Sequence, residues 1–194
     1  SGTMGYALAL AARRRGAAVT LVSGPTALPA PPGVQFVPVV TALEMRDAVL
    51  ARLEKATVVI KAAAVADYRP AVRQAAKIKK SAGPLNLALE RNPDILAEIA
   101  RRKGSRIVVG FAMESEDLLE NARAKLMGKG ADFIVANDLT QTGAGFGTDT
   151  NIVRILDWEG GDERLPLLGK LEVAGVILDR VKQIRGTGRI RDGR

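Results

Sequence analysis

The stretch from Lys61 to Lys80, KAAAVADYRPAVRQAAKIKK, gathers one carboxylate and several ammonium groups within a short length of chain. Asp67 stands behind a run of small residues, and Lys77, Lys79 and Lys80 follow about ten residues later. Cations in such a cluster can hold and polarise a phosphate-bearing ligand, and the alanines ahead of Asp67 leave the backbone open to close approach. A solvated polar loop leaving a core strand has the same composition, so the charges alone leave both readings open. Three further sets carry chemistry of the same kind. Lys125 and Lys129, four apart, share one face of a helix, although lysines in a last turn also complement the helix dipole. Asn92, Pro93 and Asp94 read as N-cap, first helical position and dipole partner of another helix, which accounts for them with or without a ligand. Gly2 and Gly5 open an alanine-rich helix, where free N–H groups favour an anion and where close packing equally favours glycine.

These groups need a scaffold that brings distant segments to one edge. ATVVIKAAAVA predicts a buried strand running up to Asp67, and open parallel α/β sheets bind ligands beyond the carboxyl ends of their strands. Ahead of it, AAVTLVSGP (Ala17 to Pro25) and VQFVPVV (Val34 to Val40) predict strands joined through the proline-rich ALPAPPG. Thr41 and Glu44 form a capping box for a helix reaching about Glu54. LNLALE predicts a short strand, RIVVGFAMES (Arg106 to Ser115) a buried one, and ADFIVANDLTQ another with a polar exit. After the glycine-rich QTGAGFGTDT, NIVRILDW and ERLPLL predict an antiparallel pair, and a helix follows from about Lys170 to Ile184. The alternation predicts an α/β fold: a Rossmann-like, doubly wound, mostly parallel sheet with the antiparallel pair appended near the C-terminus. A glycine turn opening a helix normally follows a strand, so the first strand is expected upstream of Ser1. Residues 1–184 are expected as a single domain and 185–194, RGTGRIRDGR, as a flexible basic tail.

At 194 residues, 47% of them hydrophobic, the chain can bury one full core and is not a disordered sequence. No apolar run reaches the roughly 18 residues of a spanning helix and no signal-peptide pattern is present, so no membrane is expected and cytoplasm is the default location. The absence of cysteine and histidine excludes disulfides, thiolate nucleophiles, zinc–thiolate sites and imidazole bases. Chemistry falls to Lys, Arg, Asp, Glu, hydroxyls, the backbone or a hard cation. The net charge is +8, and since the last ten residues hold four arginines and one aspartate, most of the excess belongs to the body. A basic body fits phosphate-bearing ligands or nucleic acid. With 4% aromatic residues and no recognition-helix, finger or RNP pattern, nucleic acid is not expected as a partner. The rival within the same fold is an NAD(P)-binding reductase. Ser23 and Gly24 stand where an acidic residue would hold the ribose, and a Tyr-x-x-x-Lys pair is lacking, both against it.

Taken in order, AAAVADYRP, KIKK, NPDIL, VVGFAMES, a lysine-bearing helix and FIVAND resemble, over nearly the entire chain, the phosphopantothenoylcysteine synthetase domain of bacterial coenzyme A biosynthesis. SGTMGYALA is similar to that family's glycine turn and first helix. The resemblance implies a nucleotide-binding ligase domain over 1–184 that joins 4′-phosphopantothenate to cysteine with CTP. In that reaction the carboxylate attacks the α-phosphorus, giving an acyl-cytidylate and pyrophosphate, and the cysteine amine then displaces CMP. Nucleotide contacts are implied at Asp67, Lys77, Pro93, Asp94, Ile95, Leu96, Phe111, Lys125 and Lys129, with Lys77 as the catalytic residue stabilising charge on the reacting phosphate or acyl group. Gly2, Ala63 and Ala64 are implied as backbone contacts to nucleotide or intermediate. Mg2+ is implied with the triphosphate, without assigned metal ligands. So are a homodimer with sites near the subunit interface and fusion or association with a flavin-dependent decarboxylase, no flavin being expected on this chain itself. The strand pair over 151–168 is then an assembly element or an exposed flap. Thr3 stands where the family's glycine turn usually carries lysine, and the asparagine ahead of that turn falls upstream of Ser1.

Overall fold

Ile107, Val108 and Val109 are wholly buried, a condition met by a strand covered on both faces. They begin an interior strand of an α/β sheet. The computed structural model describes residues 2–74, 76–79, 84–114, 118–138 and 150–191. In chain order come α1 (Thr3–Arg14), β1 (Thr20–Ser23), β2 (Gln35–Pro38), α2 (Ala42–Leu50), a 3-10 turn at Leu53–Lys55 and β3 (Val58–Lys61). β4 (Tyr68–Pro70) and β5 (Leu89–Arg91) form an antiparallel arm ahead of α3 (Ile95–Arg101) and β6 (Ile107–Glu114). Then follow α4 (Leu118–Lys129), β7 (Phe133–Asp138), β8 (Thr150–Asn151), β9 (Val153–Asp157), β10 (Asp162–Arg164), β11 (Leu168–Gly169) and α5 (Lys170–Thr187).

The main sheet has the order β10-β9-β7-β6-β3, with β3, β6 and β7 parallel and β9 and β10 antiparallel to their neighbours. The antiparallel pair anticipated near the C-terminus is therefore present, and it continues the central sheet through β7. Alternating side chains divide the core in two. Ile107, Val109, Phe133, Val135, Val153 and Ile155 pack against α1 and α5, whereas Val108, Ile134, Ala136 and Leu156 pack against α3 and α4. β1 and β2 make a separate parallel pair, and among the described residues no strand joins β1 to the free edge of β3.

Three local expectations are corrected. The capping box of Thr41 and Glu44 forms, but α2 ends at Leu50 and a tighter turn carries Leu53 into the core. Asn92 is not the cap of α3. Asp94 is, its carboxylate accepting from the Ala97 N–H at 3.1 Å, because Asn92 is engaged on a neighbouring loop. Of the stretch expected as a tail, residues 185–191 are held in place, and the rest lies outside the described residues: α5 runs to Thr187, Ile190 packs against the first core, and Arg191 is hydrogen-bonded to α4 and Asp132. Among the described residues no helix is long and apolar enough to cross a membrane.

Candidate active site

On β3, Val58 and Ile60 face α1 and α5 while Val59 faces α3 and α4, so alternation sends Lys61 to the α3/α4 side at the strand's carboxyl end. Its ammonium donates to the carbonyl of Ala63 at 2.9 Å. Burial pushes Lys61 below the ordinary lysine range; the Asp94 charge opposes this, Lys129 and Lys125 add to it, and Asp67 opposes it more weakly. Three lysines and two carboxylates from four segments thus act on one another at the end of β3.

Asp94 links two of those segments. While capping α3 it also accepts a hydrogen bond from the Lys129 ammonium, which reaches across from the last turn of α4. Partial burial would raise its pKa, but the bonds from Lys129 and Ala97 N–H and the charges of Lys129 and Lys61 together hold it below the usual aspartate range. The loop after β3 is strapped to the same place. The Asn92 backbone N–H donates to Asp67 O and its side-chain amide to Ala66 O, each at 2.8 Å. Arg69 donates to Asn92 Oδ1 and Arg91 O and pairs with Glu90 at 2.7 Å. The small residues after β3 are therefore held open by flanking polar groups, with Ala63 and Ala64 exposed.

The first turn of α1 meets this loop. A Cβ on Gly5 would lie 4.0 Å from that of Ala62, and Gly2, at φ +73°, is exposed at the N-cap. No acidic residue and no side-chain cap occupy that turn. The Lys170 ammonium, from the start of α5, donates to the Thr3 hydroxyl at 2.8 Å. A cation thus stands at the glycine turn although Thr3 replaces the lysine usual there in the family the sequence resembles. Asn151 lies beside Met4, its amide 3.8 Å from the sulfur, and the side-chain carbonyls of Asn151 and Asn137 are buried without a hydrogen-bond partner among the described residues.

The anticipated residues fall into four groups. The charges of Asp94, Lys129, Lys125 and Asp67 all act on Lys61, and Lys129 is hydrogen-bonded to Asp94. Phe111 sits at the same end of the sheet but packs toward α1 and α5, on the opposite face. Ile95 and Leu96 are buried in the second core beside the half-buried Pro93, so Ile95 and Leu96 can meet a ligand only through their backbone. Leu96 packs so closely that a Cβ on Gly110 would lie 2.8 Å from its Cδ2, which is why glycine stands at that point of β6. Lys77 and Lys79 are exposed between β4 and β5, and Lys77 has no ion pair or hydrogen bond among the described residues; Lys80 lies outside them. Lys61, Asn137, Asn151 and Lys170 were not anticipated. Lys61 had a visible signal, as the only charge within VVIKAAAVA, whereas Lys170 meets a partner 167 residues away.

A mostly parallel sheet with helices on both faces, bearing lysines, a helix N-terminus without a side-chain cap and a small-residue loop at its strand ends, defines a Rossmann-like domain with a basic rim. Within that class the chain belongs to the family of the DNA/pantothenate metabolism flavoprotein C-terminal domain, which matches residues 1–184. It is 47% identical over 182 residues to the coenzyme A biosynthesis bifunctional protein CoaBC of Bacillus subtilis (strain 168), covering 93% of this chain and 45% of that protein. The CoaBC of Escherichia coli (strain K12) is likewise 47% identical over 185 residues, with the same coverage. The chain spans about half the length of these relatives. Among solved structures, the C-terminal domain of CoaBC superposes with a TM-score of 0.82 at 44% identity, over 96% of this chain and 86% of that one. The DNA/pantothenate metabolism flavoprotein of Streptococcus pneumoniae, at 22% identity and a TM-score of 0.79 over 94% of this chain and 88% of that one, shares the fold.

Proposed function

We propose that this chain is a phosphopantothenate–cysteine ligase: with CTP it activates the carboxylate of 4′-phosphopantothenate and transfers the acyl group to the amine of cysteine. The observation that carries this reading is that, among the described residues, Lys61 at the end of β3 feels the charges of Asp94, Lys129, Lys125 and Asp67, with Lys129 hydrogen-bonded to Asp94. Phosphoryl chemistry demands positioning and charge neutralisation and no histidine or thiolate, which matches this donor set. In the first step the carboxylate oxygen attacks the α-phosphorus and pyrophosphate leaves. In the second the cysteine nitrogen attacks the acyl carbon and CMP departs with the bonding electrons. Lys61, Lys125 and Lys129 neutralise the polyphosphate, the first turn of α1 with Lys170 binds a phosphate through N–H groups and an ammonium, and the exposed backbone of Ala63 and Ala64 admits the acyl group. Lys77 stabilises charge at the reacting centre from its exposed segment.

Among the described residues no group of three or more Asp and Glu side chains is placed to hold a metal ion. Mg2+ would come with the triphosphate as its counter-ion and would supply charge neutralisation there beside Lys61, Lys125 and Lys129. Two further parts of the proposal concern assembly. The arm exposes Tyr68, Val72, Ile78, Leu85, Leu87 and Leu89, an apolar surface suited to a second copy of the chain, which supports a homodimer. A flavin-dependent decarboxylase supplies the partner activity, in keeping with the word bifunctional in the relatives' names. Calorimetric titration with CTP, ATP and NADPH, with cysteine-dependent CMP release as the activity readout, tests the reading. Binding of CTP well above ATP is expected, because a site that hydrogen-bonds a cytosine leaves its polar groups unpaired with adenine. Equal affinity for the two triphosphates, or preferential binding of NADPH, refutes it.

A further inference from the structure

The last turn of α4, which presents Lys129, is weak by composition. Gly128 lies within it, and Gly130, at φ +69°, takes the left-handed conformation that ends the helix. The last four carbonyls of a helix, here those of residues 126–129, have no partner within it. Arg191 supplies partners from the far end of the chain. Its guanidinium donates to Leu126 O at 2.7 Å, Met127 O at 3.2 Å and Ala131 O at 3.4 Å. Its backbone N–H donates to Asp132 Oδ1 at 2.8 Å. Asp132 is fully buried and is fixed in turn by the Lys103 ammonium, 2.7 Å from each carboxylate oxygen, and by the Val108 N–H at 2.7 Å. Ile190, packed on the first core, seats the segment just ahead. Arg191 lies beyond the 1–184 match to the family.

We propose that Arg191 is a positioning residue: the C-terminal segment is a clamp that caps the last turn of α4 and so holds Lys129 in reach of Asp94 and of a bound polyphosphate. The capped carbonyls flank the residue that carries the ammonium, so loss of the guanidinium frees the turn that Lys129 needs in order to cross to α3. Asp132 and Lys103 form the rigid floor of the clamp, and Arg191 carries its hydrogen bonds to the helix end. The positioning role rests on the ligase reading, whereas the clamp itself does not.

The test uses the full chain and three variants: Arg191→Ala, Arg191→Lys, and Arg189→Ala as a control, because Arg189 is exposed and only 3.9 Å from Glu159. Inorganic tripolyphosphate and CTP are titrated by calorimetry, KM is measured for CTP and for cysteine, and backbone amide exchange is followed along α4. Arg191→Ala is expected to weaken tripolyphosphate binding about tenfold, the worth of one charge-assisted hydrogen bond, and to raise KM for CTP while KM for cysteine stays put. Exchange should accelerate at residues 126–131 ahead of the rest of the chain. Arg191→Lys should recover part of the loss and Arg189→Ala should match the parent. Unchanged affinity and exchange in Arg191→Ala overturn the clamp, and equal losses in both KM values with exchange raised throughout reduce it to general stability. A parent chain that binds tripolyphosphate but releases no CMP defeats the ligase reading and leaves the clamp standing; one that binds no polyphosphate overturns the ligase reading and the positioning role together, and the exchange rates along α4 then decide the clamp.

Discussion

Asp94 caps α3 and pairs with Lys129, and two substitutions separate these roles. Asparagine caps a helix as well as aspartate, so Asp94→Asn loses only the ion pair. The two side chains are 41% and 37% exposed, and a pair so open to solvent is worth under about 1 kcal/mol. Asp94→Ala loses the cap as well, about 1 kcal/mol more. For a domain of this size each kcal/mol moves Tm by about 2–4 °C, so the alanine variant should melt about 2–8 °C lower and the asparagine variant no more than about half as far. The sign of the pH effect follows from the lowered pKa. Stability from the Asp94 carboxylate is fully present above the ordinary aspartate pKa and is lost as pH falls through its lower folded value, a loss that Asp94→Asn should not show. Removing one negative charge near Lys61, Lys125 and Lys129 should tighten inorganic tripolyphosphate about two- to fivefold, from about 0.5–1 kcal/mol in a water-like medium. Thermal melts between pH 3 and 8 and tripolyphosphate calorimetry check both parts. An asparagine variant as unstable as the alanine one, or one that binds tripolyphosphate more weakly, would refute the division of labour; a fall in CTP affinity alone would assign the Asp94 side chain to the base.

Lys77→Gln should lower turnover by about 100-fold or more with the fold intact, as for loss of a preorganised charge-stabilising donor, and normal turnover would remove it from the chemistry. Lys61 opposes stability below its depressed folded pKa and is relieved of that opposition as pH rises from that value toward the ordinary lysine pKa, so a bound polyanion that restores its charge should draw in a proton within that interval. Calorimetry in buffers of different ionisation enthalpy should show that uptake for the parent and not for Lys61→Met; buffer-independent enthalpies in the parent would contradict it. Lys103→Met leaves the Asp132 charge buried without its ammonium and should cost about 3–5 kcal/mol in urea unfolding, and a cost under about 1 kcal/mol would mean that the pair is not dry.

What could be read from the sequence followed the range of the interaction. Strands such as Ile107–Glu114 and Phe133–Asp138 announce themselves through runs of β-branched and apolar residues, and the Thr41 box forms because both of its bonds lie within four residues. The N-terminus of α3 shows where local rules stop. Asn92 and Asp94 are equally good caps by residue type, and the choice falls to Asp94 because Asn92 already serves Ala66 and Arg69, contacts 26 and 23 residues distant. The same reasoning explains the site. Lysines 125 and 129 and the two aspartates were visible as residue types, but their convergence on Lys61 needs the parallel order of β3 and β6 to bring α3 and α4 to one face. Composition also suggested that a terminal run of arginine and glycine would be loose, since nothing near it in sequence could bind it. Its partners are the carbonyls at the end of α4 and a carboxylate 59 residues back. A charge-rich end is solvated only if the fold offers it no bare acceptors, and a helix terminus beside a buried carboxylate offers several at once.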